Sequence, residues 1–531
     1  MRSLFCENRG EDYLARKKAE QTTSLLREQT TNGRNDQQMP EQYILGIDQS
    51  TSATKAMLLD NSGNLVCRED KPHSQIVDDK GWVEHDLTEI FANSIEAAKQ
   101  VIIKSRIEKS QIIGIGISNQ RETAAVWDKK NGNPVYNAIV WQCARGEEIC
   151  KEIEKAGLSE KIRETTGLPL SPYFSAAKIA WVLENADVKS RQLCAGTIDS
   201  WLIYKLTGEH KTDYSNASRT QLFDLKALTW SDEVCRAFKI DRDILPEVCD
   251  SDSCFGYTDL AGLLDKPIPI HGVMGDSHGA LFGQGCHSPG MMKATYGTGS
   301  SIMMNIGSNM LLSDKGVVTS IAWSKSGKIE YVLEGNINYT GAVITWLVDN
   351  LDILASPEAS AKHAENANPE DETYLIPAFS GLGAPHWKSE ARAMLCNMSR
   401  TTGKNELIRA ALECIAYQIS DVINVMLETA NIKANSIRVD GGPTKNSYLM
   451  QFQSDILNLP VEVPEQEELS CIGASYMAGV ALGFYDEKTV FTQIERAQYN
   501  PIMDAQTRKK KLNGWSKAIE MLLRNGLNQN G

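Results

Sequence analysis

The sequence lacks the features that mark several large classes of protein. It has no run of about 18 or more apolar residues, which argues against a transmembrane helix. Its twelve cysteines are scattered without a C-x-x-C pair, a pattern typical of reduced cytoplasmic thiols rather than of disulfides or a zinc site. Acidic residues outnumber basic ones, 68 to 55. The net charge of −13 therefore argues against nucleic-acid and anionic-membrane partners.

Two common nucleotide-binding signatures are also missing. There is no Walker A sequence and no G-x-G-x-x-G after a strand, which disfavours P-loop NTPases and Rossmann dehydrogenases. The length of 531 residues, with 42% hydrophobic and 23% charged residues, is typical of a globular chain of two to four domains.

The first 42 residues differ from the rest in composition. They are rich in Glu, Gln, Thr, Arg and Asn and poor in large apolar residues, and they contain no secretory apolar segment. We expect residues 1–42 to form a disordered tail.

One arrangement of strand, small hydroxylic turn and strand occurs twice, about half a chain apart. Its two copies are predicted at 43–60, with the turn at 49–55, and at 292–305, with the turn at 297–301. Further strands are predicted at 112–118 and 437–440, and helices at 88–104, 407–426, 447–457 and 509–527. Alternating strands and helices indicate an α/β architecture. The duplicated turn predicts two related domains that face each other across a ligand.

Three loops are made mainly of small or hydroxylic residues, at 49–54 (QSTSAT), 297–299 (GTG) and 441–442 (GG). Such turns cradle phosphate oxygens. Asp48 and Asp440 stand at strand ends, where they fit metal or phosphate-water coordination. In the segment VMGDSHGA at 273–280, Asp276 follows a strand and begins a helix, a place suited to accepting a proton from a substrate hydroxyl. A turn or helix-capping role is the alternative for each acid.

With these residues in view, the chain resembles the FGGY family of carbohydrate kinases over residues 43 to about 505, and within it most closely the glycerol kinases. The segments that carry the resemblance include GIDQSTSATKA (46–56), GWVEHD (81–86), ISNQRET (117–123), TDYSNASRTQLFD (212–224), TYGTGSS (295–301), PAFSGLGAPHW (377–387) and VDGGPTKNSYLMQFQSDIL (439–457).

The resemblance implies two actin/hexokinase-like (ribonuclease H-like) α/β domains with a cleft between them. It places the polyol and phosphate-loop side at 43–283 and the nucleotide side at 284–531. It implies ATP-dependent phosphorylation of a small polyol with Mg²⁺, glycerol to glycerol 3-phosphate being the first choice. A cytoplasmic enzyme is expected, with a homodimer or a homotetramer both open.

The family's roles transfer to matching positions of this sequence. Asp276 is implied as the general base, and the polyol is implied to contact Arg121, Glu122, Tyr173, Trp141, Asp276 and Ser277. ATP is implied to contact Thr51, Ser52, Lys55, Thr298, Gly341, Gly442 and Asn446, and Mg²⁺ to be linked to Asp48.

Departures from the family pattern keep a second substrate class open. Ser277 stands where glycerol kinases usually have Gln, Ser301 where they usually have Phe, and Lys55 where Arg is usual. The two serines remove bulk and add hydroxyls. A kinase of a longer polyol or ketose, such as erythritol, threitol, ribitol, arabitol or xylulose, is therefore the alternative substrate assignment. A non-catalytic, actin-like ATP-binding or sugar-sensing protein is the rival from another class, and retention of the base and phosphate loops argues against it.

Overall fold

The structure is a computed structural model that describes residues 41–187 and 192–527. The predicted tail lies outside the described residues, except for its last two positions. The strands are β1 Tyr43–Gln49, β2 Ala53–Leu59, β3 Leu65–Pro72, β4 Ile76–Val77, β5 Val83–His85, β6 Ile112–Asn119, β7 Ala124–Asp128, β8 Ala138–Ile139, β9 Leu193–Thr197, β10 Lys211–Asp213, β11 Phe223–Asp224, β12 Thr229–Trp230, β13 Glu247–Cys249, β14 Tyr257–Thr258, β15 Ile268–Gly275, β16 Met292–Tyr296, β17 Ser300–Gly307, β18 Val318–Lys325, β19 Lys328–Ile337, β20 Tyr374–Ile376, β21 Met394–Cys396, β22 Ile437–Asp440, β23 Val461–Pro464 and β24 Arg496–Tyr499.

The helices lie between these strands and cover the sheets. They are α1 Leu87–Ser105, α2 Glu147–Lys155, α3 Ser159–Thr166, α4 Ser175–Asn185, α5 Ile198–Thr207, α6 Tyr214–Ala217, α7 Asp232–Ala237, α8 Asp276–Gly283, α9 Gly341–Asp349, α10 Ser360–Glu365, α11 Lys404–Ala430, α12 Ser447–Leu457, α13 Leu469–Ala481, α14 Glu487–Val490 and α15 Ala505–Leu527. Short 3-10 turns lie at Lys109–Gln111, Arg242–Ile244, Pro357–Ala359, Gly442–Lys445 and Phe491–Gln493.

Two large mixed sheets, of six and seven strands, share the arrangement of their central strands. The first has the order β14-β15-β6-β1-β2-β3, and the second has the order β18-β19-β17-β16-β22-β23-β24. In the first, β1 pairs antiparallel with β2 and parallel with β6, which in turn pairs parallel with β15. In the second, β16 pairs antiparallel with β17 and parallel with β22, which pairs parallel with β23. The expectation of two related α/β halves is therefore confirmed.

The remaining strands form smaller sheets. A five-stranded sheet has the order β4-β5-β8-β7-β9, and three strand pairs join β10 to β13, β11 to β12 and β20 to β21. Buried apolar side chains of β1 and β6 pack against α1 and α5. A separate buried cluster joins α8 and α13 to strands of the second sheet.

Helix α13 comes from the second half of the sequence but packs on the first sheet. A Cβ atom on Gly116 of β6 would lie 2.6 Å from the backbone of Ala474, and one on Gly473 would lie 1.9 Å from the carbonyl oxygen of Gly279 in α8. Glycine at these positions permits the close approach of helix to strand and helix to helix. The predicted boundary at 283/284 separates the strands of the two large sheets. It remains a prediction, because α13 belongs to the second half of the sequence but packs on the first sheet.

Several element boundaries differ from the predicted ones. Strand β2 begins at Ala53 and not at 56, because the antiparallel pairs Asp48↔Lys55 and Gln49↔Thr54 extend the ladder into the predicted turn. Strand β17 begins at Ser300 for the same reason, so Ser301 lies in the strand. The last helix begins at Ala505, four residues before the predicted start.

Within the described ranges, one helix is long and apolar enough to cross a membrane. This helix is α11, and 72% of its most apolar stretch is buried inside the protein. Burial of this kind is typical of a helix in a protein core, where apolar side chains pack against other parts of the protein.

Candidate active site

Asp276 lies where β15 of the first sheet ends and α8 begins. Its side chain is 37% exposed, and its Oδ1 accepts a hydrogen bond from Arg121 Nε at 3.1 Å. The preceding Gly275 allows Arg121 to pass close to the backbone, because a Cβ there would lie 2.7 Å from the Arg121 Cγ and Cδ atoms. The predicted base is thus an accessible carboxylate that is fixed by a predicted polyol residue.

Arg121 and Glu122 occupy the turn after β6. Both side chains are buried, and Glu122 has a φ of 60°, which is unusual for a residue with a side chain. Arg121 binds Glu334 of β19 through both terminal nitrogens at 2.8 Å, and Arg219 Nε binds Glu122 Oε1 at 2.6 Å. Backbone strain held in place by buried ion pairs is common at functional sites.

Two aromatic side chains stand beside these charges. The rings of Trp141 and Tyr173 meet edge to face at a centroid distance of 5.6 Å, and Trp141 Nε1 donates to Thr51 Oγ1 at 3.0 Å. Desolvation raises the pKa of Tyr173, and the nearby Glu122 carboxylate raises it further. The phenol therefore stays protonated and can donate to a substrate oxygen. The structure joins predicted polyol and phosphate-loop residues in one place.

The two serines that depart from the family pattern lie in different halves of the fold. Ser277 follows Asp276 in α8 and is partly exposed. Ser301 of β17 pairs across the ladder with Asn336 of β19, and its Oγ is buried without a hydrogen-bond partner. A buried hydroxyl without a partner is uncommon and calls for a ligand or water.

Asp48 lies at the end of β1, next to the first loop. Burial raises its pKa to about 6, although Lys55 and a hydrogen bond from Ser118 act to lower it. The Lys55 ammonium lies 3.7 Å from Asp48 and 2.6 Å from Glu468 at the start of α13. The structure therefore places the predicted phosphate-loop lysine between two carboxylates.

Asp440, at the end of β22, is buried rather than open to a ligand. Its Oδ2 accepts from Gln284 Nε2 at 3.0 Å. Burial raises the pKa of Asp440, and the buried Lys293 ammonium acts in the opposite direction. Gln284 and other protein groups, rather than solvent, therefore surround this carboxylate.

The four predicted ATP residues of the second half surround two adjoining cavities. One cavity, of about 570 Å³, is lined by Thr298 and Gly341, and the other, of about 630 Å³, by Gly341, Gly442 and Asn446. The loop 297–299 is bonded to the start of α9, because Gly341 N donates to Gly297 O at 2.9 Å. Cavities of this size suit a nucleotide.

Sequence reasoning missed Glu334, Arg219 and Glu468. The signal for Glu334 is a lone acid in the apolar run YVLEGNI at 331–337. Arg219 lies in the segment TDYSNASRTQLFD and has no local pattern that announces its partners. Glu468 could be recognised only from the packing of α13, since it lies more than four hundred positions from Lys55.

Comparison with known proteins places these observations in a family. Models of the FGGY family of carbohydrate kinases match residues 43–283 with the N-terminal domain and 292–482 with the C-terminal domain. The chain is 48% identical to glycerol kinase 1 of Thermotoga maritima over 490 residues, 91% of this chain and 99% of the relative. It is 44% identical to a glycerol kinase of Thermoanaerobacter over 494 residues, with the same coverage.

Solved structures agree with the sequence comparisons. Plasmodium falciparum glycerol kinase with ADP superposes with a TM-score of 0.85 at 35% identity, covering 91% of this chain and 98% of that one. A ligand-bound xylulose kinase from Lactobacillus acidophilus, 22% identical, has the same fold with a TM-score of 0.81, covering 92% and 98%. With both family domains matched and relatives this similar over nearly the whole fold, the chain belongs to the FGGY family of carbohydrate kinases.

Proposed function

We propose that the protein phosphorylates glycerol to glycerol 3-phosphate with ATP. The observation that carries the proposal is the accessible Asp276 carboxylate, fixed by Arg121 beside Glu122. The similarity to proteins named glycerol kinase supports glycerol as the acceptor.

The polyol side of the reaction is proposed to use residues of the first half. Asp276 accepts the proton of the attacking hydroxyl, whose oxygen bonds to the γ-phosphorus as the bond to ADP breaks. Arg121 and Glu122 orient the hydroxyls, with Tyr173 as a further donor. Trp141 and Ser277 complete the wall of the polyol site.

The nucleotide side is proposed to use the three loops and residues near them. The residues concerned are Thr51, Ser52, Lys55, Thr298, Gly341, Gly442 and Asn446. The positive end of the α9 dipole at Gly341 favours phosphate oxygens, while the Gly341 and Ala342 N–H groups bind the carbonyls of the 297–299 loop and hold it against the helix.

Asp48 is the residue proposed to be linked to Mg²⁺. Its carboxylate is buried, its Oδ1 accepts a hydrogen bond from Ser118, and its Oδ2 lies 3.7 Å from the Lys55 ammonium. An acid in this position suits an ion that keeps several waters and is held by one or two carboxylates and the substrate phosphates. When bound, Mg²⁺ neutralises charge on the phosphates.

The test is ADP formation by the purified protein with ATP and Mg²⁺, in the presence and absence of glycerol, with the product identified as glycerol 3-phosphate. The proposal expects ADP release that depends on glycerol. Nucleotide binding without polyol-dependent ADP release would instead favour the non-catalytic sensing protein.

A second candidate is a kinase of a four- or five-carbon polyol or ketose. The observation that favours it is the buried, unpartnered Ser301 hydroxyl across from Asn336. Polar groups left unpaired by a shorter substrate discriminate against that substrate. A panel of glycerol, erythritol, threitol, ribitol, arabitol and xylulose separates the two candidates by kcat/KM.

A cytoplasmic location and a homodimer or homotetramer belong to the same proposal. The eleven cysteines among the described residues are all free thiols, which suits a reducing compartment. Size-exclusion chromatography with light scattering measures the oligomeric state directly.

A further inference from the structure

Five charged side chains form one continuous chain at the candidate polyol site, here called the buried charge chain. In order, it consists of Glu122, Arg219, Glu334, Arg121 and Asp276. The contacts between neighbours are 2.6 Å, 3.1 Å, 2.8 Å and 3.1 Å. The first four side chains are at most 5% exposed, whereas Asp276 is 37% exposed. Only the end that carries the predicted base reaches solvent.

The centre of the chain, Glu334, is fully buried on a strand of the second sheet. Burial by itself raises the pKa of Glu334, but the charges of Arg121 and Arg219 outweigh it and hold the pKa well below its usual range. Glu334 is therefore ionised in the folded protein. A buried charge is costly unless it is paired, and an apolar or neutral side chain is often the more stable choice. Stability alone therefore does not account for an ionised Glu334.

Geometry shows what Glu334 does to Arg121. An arginine side chain has five N–H donors. Two of those of Arg121 bind the two oxygens of Glu334 and a third binds Asp276, which leaves two for a ligand. Because the contact with Glu334 is bidentate, it fixes the plane of the guanidinium and hence the direction of the remaining donors.

Arg219 has the corresponding effect on Glu122. Its Nε binds Glu122 Oε1 at 2.6 Å, and its guanidinium carbon lies 5.2 Å from the ring centre of Phe174, next to Tyr173. Its Nη1 lies 3.1 Å from Glu334 Oε2 but is buried without a hydrogen bond. Arg219 is thus in contact with Glu334 as well as with Glu122, a predicted polyol-binding residue.

We propose that Glu334 and Arg219 are positioning residues for the polyol site, which fix the side chains of Arg121 and Glu122 without touching the substrate themselves. Glu334 lies on the second sheet and both arginines follow elements of the first half, so the buried charge chain also links the two halves at this site. This inference rests on the proposed function, because it assumes that Arg121 and Glu122 hold a polyol.

The test compares Glu334→Gln with Glu330→Gln, the same substitution four residues earlier on the same strand. The full-length protein is assayed by ADP formation, with glycerol and ATP varied independently. For Glu334→Gln we expect glycerol kcat/KM to fall about 10²-fold, the effect of a misplaced substrate-binding side chain. The KM for ATP should stay within about threefold. Glu330→Gln is expected to keep both values within about twofold of the wild type.

The double variant Arg219→Met with Glu334→Gln separates positioning from folding. It removes one positive and one negative charge, so the buried chain keeps its net charge. We expect its melting temperature to exceed that of Glu334→Gln while glycerol kcat/KM stays low. If kcat/KM recovers together with the melting temperature, or if the KM for ATP rises as much as that for glycerol, the two residues have only a structural role and the inference is wrong.

A conservative variant gives an independent measurement. The single variant Arg219→Met removes the charge, whereas Arg219→Lys keeps the charge but loses the guanidinium. We expect the glycerol kcat/KM of Arg219→Lys to lie between those of the wild type and of Arg219→Met. Equal activity of both Arg219 variants and the wild type overturns the inference and leaves the proposed function intact. A wild type that phosphorylates no polyol of the panel overturns both.

Discussion

Replacement of Asp276 by Asn separates catalysis from stability most sharply. The substitution keeps the volume of the side chain and removes its charge, so the carboxamide cannot accept a proton from the attacking hydroxyl. Loss of a positioned general base costs about 10²–10⁴-fold in rate, equivalent to about 2.7–5.4 kcal/mol in the barrier. We therefore expect kcat with glycerol to fall by this factor.

Stability should change far less. The ion pair with Arg121 is 3.1 Å long, but the Asp276 side chain is 37% exposed, so solvent screens it. Exposed pairs contribute about 0–1 kcal/mol. Arg121 also retains both of its bonds to Glu334. We expect the melting temperature to fall by less than about 3 °C.

The assay measures ADP formation against glycerol and against ATP, with thermal unfolding of the same samples. The KM for ATP should stay within about threefold, because the nucleotide cavities are lined by other loops. Asp265→Asn, on a side chain that is 77% exposed, is the control for loss of one acid. A variant that keeps more than about a tenth of wild-type kcat shows that Asp276 is not the base.

Three further predictions concern specificity, pH and packing. Ser277→Gln with Ser301→Phe should raise kcat/KM for glycerol and lower it for any longer polyol that the wild type accepts; movement of both in one direction removes the support for the second candidate. Burial raises the pKa of Asp199 to about 7, so the folded protein binds more protons than the unfolded chain between about pH 4 and pH 7. This residue's contribution to stability is then present at low pH and lost as pH rises through about 7, and Asp199→Asn should gain stability relative to wild type from pH 5 to pH 8 in urea unfolding; an unchanged difference contradicts this. Gly473→Ala would place a Cβ 1.9 Å from the Gly279 carbonyl oxygen and should lower the free energy of unfolding by about 1–3 kcal/mol. A free energy of unfolding within about 0.5 kcal/mol of the wild type would show that α13 and α8 can move apart without cost.

Local sequence patterns were sufficient for most elements that carry the site. The buried run YILGID predicts β1, and the strand β22 and helix α12 have the predicted bounds. Their ends depend on neighbours: β2 extends back to Ala53 because β1 offers a pairing partner for each residue. Hydrogen bonding across a ladder is a property of two strands, and a single segment does not contain it.

The predicted site residues remain predictions, but the structure brings many of them together. Asp276 follows β15, whereas Arg121 and Glu122 follow β6, and all three belong to the buried charge chain. The surroundings of Lys55 were not expected from the sequence, since Glu468 binds its ammonium at 2.6 Å. That contact follows from the packing of α13 on the first sheet.

The sequence by itself determined the α/β class, the duplicated strand-turn-strand units and the family, because each rests on local patterns of apolar, small and hydroxylic residues. Tertiary structure alone decided which charges are paired. Glu334 lies more than two hundred positions from Arg121 and more than a hundred from Arg219, yet all three are in contact and almost without solvent. The reason is physical: a charge can be buried only where opposite charges meet it, and the fold, not the local sequence, sets which side chains meet.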